Sequence, residues 1–147
     1  MSTAFQIILD GVIAALVSTP ALADGRVFAN RLRPLPVGVC TAIVLRLEHS
    51  AANETVLGAN DWDSAYVVEC YARGTVSNDP AAAVDALLGD AWARLAGLDA
   101  ATLGATSIAI NPAINWQYDE ADGPVVCASI RLQVQLRTPV ATLTAWN

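Results

Sequence analysis

The chain contains no lysine. All eight of its basic residues are arginine, and there is one histidine, His49. Fourteen acidic residues outnumber the arginines, which gives a formal net charge of −6 and argues against a protein that grips nucleic acid through its phosphates. The three cysteines, Cys40, Cys70 and Cys127, are far apart, and no Cys-x-x-Cys pair exists. With a single histidine this makes a zinc site improbable, and the strand-like apolar runs around each cysteine read as buried free thiols in a reducing compartment. No glycine-rich phosphate cradle follows a strand, and no arginine cluster is interleaved with aromatics. The apolar run Ile7 to Val17 is too short to span a bilayer.

What the chain does have is apolar residues. Hydrophobic residues make up 54% and charged residues only 15%, which excludes disorder and leaves apolar surface available for association. At 147 residues the chain reads as one domain that buries a sizeable core without cross-links. Phe5, Ile8, Leu9, Val12, Leu16 and Val17 recur at helical spacing, so a helix is expected over about Ser2 to Ser18, ended by Thr19-Pro20. Ala21-Leu22-Ala23 imitates a signal-peptidase site. The missing basic n-region and Asp10-Gly11 inside the apolar run favour a retained helix over an export signal.

A short strand is expected over Arg26 to Leu32, then a Pro34-Leu35-Pro36 corner, then a strand over Thr41 to Leu47. Glu48 to Asp63 is polar and rich in turn residues. It reads as a long acidic loop that projects from the fold, toward a neighbouring protein or a DNA passage. Ser64 to Gly74 is a strand. Asp79 and Pro80 start a second helix with a buried stripe of Val84, Leu87, Leu88, Ala91 and Leu95, an Asp90–Arg94 pair, and Gly97 at its end. Ser107 to Tyr118, disturbed at Pro112, and Val125 to Arg137 form a hairpin around an acidic turn. Pro139 then releases a tail, with residues 138–147 outside the sheet. The order is α-β-β-β-α-β-β, an α+β domain in which two helices cover one face of a mostly antiparallel sheet.

Residues able to do chemistry are few. His49 beside Ser50 lacks any nucleophile-elbow context. Asp61 and Asp63 flank Trp62 and, with Glu48 and Glu54, could face a cation, but two carboxylates fall short of a metal site. The turn residues Asp119, Glu120 and Asp122 lack calcium-loop spacing. No catalytic, metal or cofactor site is assigned. The last strand instead alternates strictly, with Ile130, Leu132, Val134 and Leu136 on one side and Arg131, Gln133, Gln135 and Arg137 on the other. That polar row, Trp62 and Trp146 as aromatic anchors, and the carboxylates Glu54, Asp61 and Asp63 are the candidate subunit or partner surface.

The N-terminal helix, the segment Asn30-Arg31-Leu32-Arg33-Pro34-Leu35-Pro36, the apolar strand after it, and the later helix and hairpin resemble the tail terminator (tail completion) proteins of long-tailed bacteriophages. The resemblance covers most of the chain as an order of elements. It implies a structural virion subunit, assembled in the bacterial cytoplasm into a ring, usually a hexamer. The ring caps the tail tube and meets the head-completion (neck) proteins, and DNA passes through it without sequence-specific binding. It implies no enzyme, cofactor or membrane. Arg131 and Arg137 are then expected to meet carboxylates of a neighbour or to line the ring. The alternatives are an exported binding module with a cleaved signal, another neck or tail-tube protein, and a small enzyme built on His49, Asp61 and Asp63.

Overall fold

A computed structural model describes residues 2–30, 40–74, 79–119 and 124–146, with 54–56 as backbone only. Helix α1, Ala4–Val17, starts where the Thr3 hydroxyl accepts the Gln6 amide at 3.3 Å. Its buried stripe is Ala4, Phe5, Ile8, Leu9, Val12 and Leu16, while Val17 is exposed. Gly11 sits where a side chain would collide with Leu103, so the helix keeps a glycine to let a later element approach. Helix α2, Pro80–Ala96, is capped by Asp79, whose carboxylate accepts the Ala81 amide at 3.0 Å. Its expected stripe is its buried stripe: Val84, Leu87, Leu88, Ala91 and Leu95. A 3-10 turn, Leu22–Gly25, and a single helical turn α3, Ala100–Leu103, add to the two expected helices.

Five strands form one sheet: β1 Val27–Ala29, β2 Thr41–Val56, β3 Ala59–Arg73, β4 Ser107–Asp119 and β5 Val125–Pro139. Their order across the sheet is β1-β2-β3-β5-β4. Three neighbouring pairs are antiparallel, but β1 pairs β2 in parallel, Val27 opposite Ile43. The sheet is therefore mixed, mostly antiparallel as expected but with one parallel pair at its β1 edge. The Pro34-Leu35-Pro36 corner and Arg31 to Arg33, on which part of the resemblance rests, lie outside the described residues, as do Glu120 and Asp122.

The core lies between one sheet face and the two long helices. Ile43 and Leu45 of β2, Tyr66, Val68 and Cys70 of β3, and Ile130, Leu132, Val134 and Leu136 of β5 meet the stripes of α1 and α2. Burying a side chain of this size contributes roughly 1.5–3 kcal/mol. Cys70 and Cys127 are buried as expected, but Cys40, just before β2, is exposed. Arg94 does not pair with Asp90 as its spacing suggests. It turns to the end of α1, where its guanidinium donates to the carbonyls of Ala15, Leu16 and Ser18 at 3.1, 3.2 and 2.7 Å, and to that of Pro20. A charged fork there satisfies carbonyls that the helix itself leaves open.

The largest correction concerns Glu48 to Asp63, which is not a loop. Strands β2 and β3 run through it and turn at Leu57-Gly58, where Gly58 takes a φ of +79°. Register shifts between Leu47 and His49 and between Ala52 and Glu54 break the alternation that marks a strand in sequence. Beyond the first shift Ser50 and Ala52, opposite Ser64 and Trp62, are also small, and Ala52 is exposed. Hence the segment reads as polar and turn-like although it is paired throughout.

Candidate assembly surface

The sheet face away from the helices carries the polar row of β5. Arg131 reaches across β3 to β2 and donates to both oxygens of Glu48 at 2.7 and 2.8 Å, which holds the Glu48 carboxyl below its ordinary value. The shift that puts both Glu48 and His49 against Ala65 aims Glu48 at that arginine. Arg137 lies directly opposite Asp61 and donates to it at 2.6 and 2.9 Å, holding that carboxyl down as well. Both arginines thus find carboxylates within their own chain, the expected settings having been a neighbour's carboxylates or the lining of the ring. Between them Gln133 is exposed, and the Gln135 amide oxygen accepts the Ser107 hydroxyl at 3.1 Å.

Further along the same face Glu69 is buried. Arg46 and the Tyr71 hydroxyl engage its carboxylate, and the Cys127 thiol lies 3.8 Å away, its pKa raised chiefly by burial. The sequence does not mark this cluster, because it depends on which strands lie beside β3. A concave surface of about 320 Å³ runs over it, lined by Arg46, Glu48, Asn111, Asn115, Gln117 and Arg131 among others.

At the end of β5 a groove of about 540 Å³ brings together Asp61, Asp63, Gln135, Arg137 and Trp146, beside Thr106. Trp146 lies under the Arg137 guanidinium, 5.9 Å from ring centre to Cζ. Trp62 contributes to the wall but is no free anchor. Its indole N–H donates to the Thr138 hydroxyl at 3.0 Å, and its ring meets Phe5 edge-on at 5.4 Å, so it ties α1 to the sheet. Glu54 pairs with Asp61 in the strand register, its side chain outside the described residues. His49 does not line the groove that holds Asp61 and Asp63, so the constellation on which the enzyme reading depends is not assembled. Among the described residues no three of His, Cys, Asp and Glu stand together as metal ligands.

A stripe of exposed apolar side chains lies on β4, which among the described residues forms one edge of the sheet. Pro112 and Ala113 bulge out between Asn111 and Ile114, and beyond them Ile114, Trp116 and Tyr118 share one side. They are 37, 41 and 70% exposed. The i, i+2 spacing of these three is visible in the sequence, but the edge position that exposes them is not.

The chain shares its fold with a protein chain of the virion of a native gene transfer agent particle. The two match over 92% of each chain with a TM-score of 0.55 and 13% sequence identity. A second solved structure, the sheath/tube terminator of an extracellular contractile injection system in its extended state, matches all of this chain and 62% of its own. There the TM-score is 0.45 and the identity 10%. No protein-family model and no curated protein sequence matches the chain. The likeness to the gene transfer agent virion chain is one of fold.

Proposed function

We propose that the protein is a tail-terminator-type subunit whose copies close into a ring, six in number, that caps a tail tube and receives the head-completion proteins. The observation that carries the reading is the exposed apolar stripe of β4, an edge strand among the described residues, set on a fold shared with a virion chain. An edge strand with Ile114, Trp116 and Tyr118 on one side and Asn115, Gln117 and Asp119 on the other is a surface that a monomer normally blunts or covers. A different surface of the next subunit, meeting this one head to tail, closes a ring. The polar β5 face, with its arginines already neutralised by Glu48 and Asp61, then faces a partner or the DNA passage without gripping phosphate. The export reading is disfavoured, because α1 supplies six buried residues that a cleaved signal would remove from the core.

Light scattering on the purified chain, with and without added tail tubes, tests this together with negative-stain electron microscopy. Closed rings, free or on tube tips, are the expected result. A chain that remains monomeric at high concentration and leaves tube ends bare would overturn it.

A further inference from the structure

After Pro139 the chain does not leave the molecule. It runs across the end of the sheet and back to α1. The Val140 amide donates to the Gly58 carbonyl at 3.1 Å, and the Leu143 carbonyl accepts the Ala4 amide at 2.8 Å. Ala145 touches the core, and Trp146 lies under Arg137. This tail has no helix or strand, and Val140, Leu143 and Trp146 remain 53, 45 and 46% exposed. Among the described residues two backbone hydrogen bonds, one cation–π contact and the packing of Ala145 hold it, few contacts for seven residues, which puts it toward the easily opened end of the stability range.

Its seat, by contrast, is held without it. Asp61 fixes Arg137 through both oxygens, Gly58 belongs to the β2–β3 turn, and Ala4 is anchored by the buried stripe of α1. The Ala4 amide is one of the first-turn donors that a helix cannot satisfy itself. If the tail lifts, these groups keep their places, with Arg137 still paired to Asp61 and the Gly58 carbonyl and Ala4 amide bonded to water until another tail replaces it.

We propose that residues 140–146 form an exchangeable arm that seats on a second copy of this chain. The occupant follows from identity. A neighbour's tail has the same sequence, so it makes the same two backbone bonds and the same indole–guanidinium contact without any new surface. Such exchange is a low-cost route to association. The contact is directional, tail of one copy to seat of the next, as a ring requires. In that sense the proposal rests on the ring reading, though its test does not.

The test mixes two variants, Ala4→Cys and Leu143→Cys, each in a Cys40→Ser background that removes the exposed thiol. One variant is isotopically labelled, and the mixture is oxidised under assembly conditions. Exchange predicts a covalent product of twice the subunit mass, containing a 4–143 disulfide between labelled and unlabelled chains. The double variant in one chain shows that the two positions reach each other by closing internally. An internal disulfide in the double variant with no cross-linked product from the mixture would overturn the proposal. So would a double variant that fails to close, since the seat itself would then be wrong. Light scattering on the same samples separates the two readings. Exchange without closed rings leaves the arm standing and removes the ring, and rings without exchange do the reverse.

Discussion

The Tyr66 hydroxyl donates to the Phe5 carbonyl at 2.9 Å, and both residues are buried. This bond joins the middle of β3 to the first turn of α1 and fixes the angle at which the helix lies on the sheet. Trp62, four residues earlier on the same strand, meets Phe5 from the side. Tyr66→Phe keeps the ring and removes the bond. The expected loss is about 1 kcal/mol, read as a lower urea midpoint with an unchanged slope.

Alkaline pH should unfold the protein through groups buried in neutral form. Burial pushes the Cys70 thiol from 9.0 up to about 12 and raises the Tyr66 phenol well above its ordinary 10.0. The unfolded chain releases these protons first. Stability is therefore intact below pH 9, falls as pH rises from 9 toward 12 through Cys70, and falls further above 10 through Tyr66. Urea midpoints measured from pH 8 to 11 should decline, and Cys70→Ala should flatten the part of the slope that begins near pH 9. An unchanged slope in that variant would mean that Cys70 does not titrate with unfolding.

Arg94 donates to three carbonyls at the end of α1 and to Pro20 beyond it. Arg94→Met keeps most of the aliphatic stem and removes every donor. We expect a loss of about 2 kcal/mol, since these bonds involve a charged donor. Arg94→Lys should recover only part of it, because a point charge cannot span acceptors that a planar fork reaches together. Thermal denaturation of the two variants side by side checks the ranking.

These relationships show what could be read from the chain alone. The stripes of α1 and α2, the Asp79-Pro80 start and the alternation of β5 were legible, because each is a local pattern with one period. The outer half of the β2–β3 hairpin was not. Two register shifts break its period, and it carries the small residues Ser50 and Ala52 where large apolar residues would have marked a strand. The parallel β1 was missed as parallel because three residues carry no directional signal. In the candidate surface, the row Arg131 to Arg137 was legible by alternation. Its pairing with Glu48 and Asp61 was not, since that depends on which strand lies beside which. Arg94 illustrates the same point, because its i, i+4 neighbour Asp90 is a weaker partner than a helix end distant in sequence.

The hairpin gives a prediction opposite to that of a loop. Joining Glu48 to Asp63 through a two-residue turn would be harmless if the segment were an idle insertion. In the structure the cut removes Trp62 with its bonds to Thr138 and Phe5, and the partners of β5 from Leu136 to Pro139. The shortened chain should be insoluble or unfolded by circular dichroism. A folded, soluble product would show that the outer hairpin contributes little to the domain.

The edge of β4 separates stability from assembly. Trp116 and Tyr118 are among the more exposed large side chains of the fold, and the strand that carries them pairs on one side only. Replacing both with serine removes apolar surface from water rather than from the core, so the subunit should keep its urea midpoint within about 0.5 kcal/mol. If the stripe is buried between copies, the same change truncates two aromatic anchors of the kind that dominate interfaces, where each truncation costs about 2 kcal/mol or more. Together that corresponds to a loss of about three orders of magnitude in association, using about 1.4 kcal/mol per factor of ten. The paired measurement is a denaturation curve and a concentration series by light scattering on wild type and on the Trp116→Ser/Tyr118→Ser variant. Unchanged stability with dissociated subunits places the interface on this edge. Unchanged stability with rings intact removes β4 from the interface and leaves the β5 face and the tail seat as the surfaces between copies.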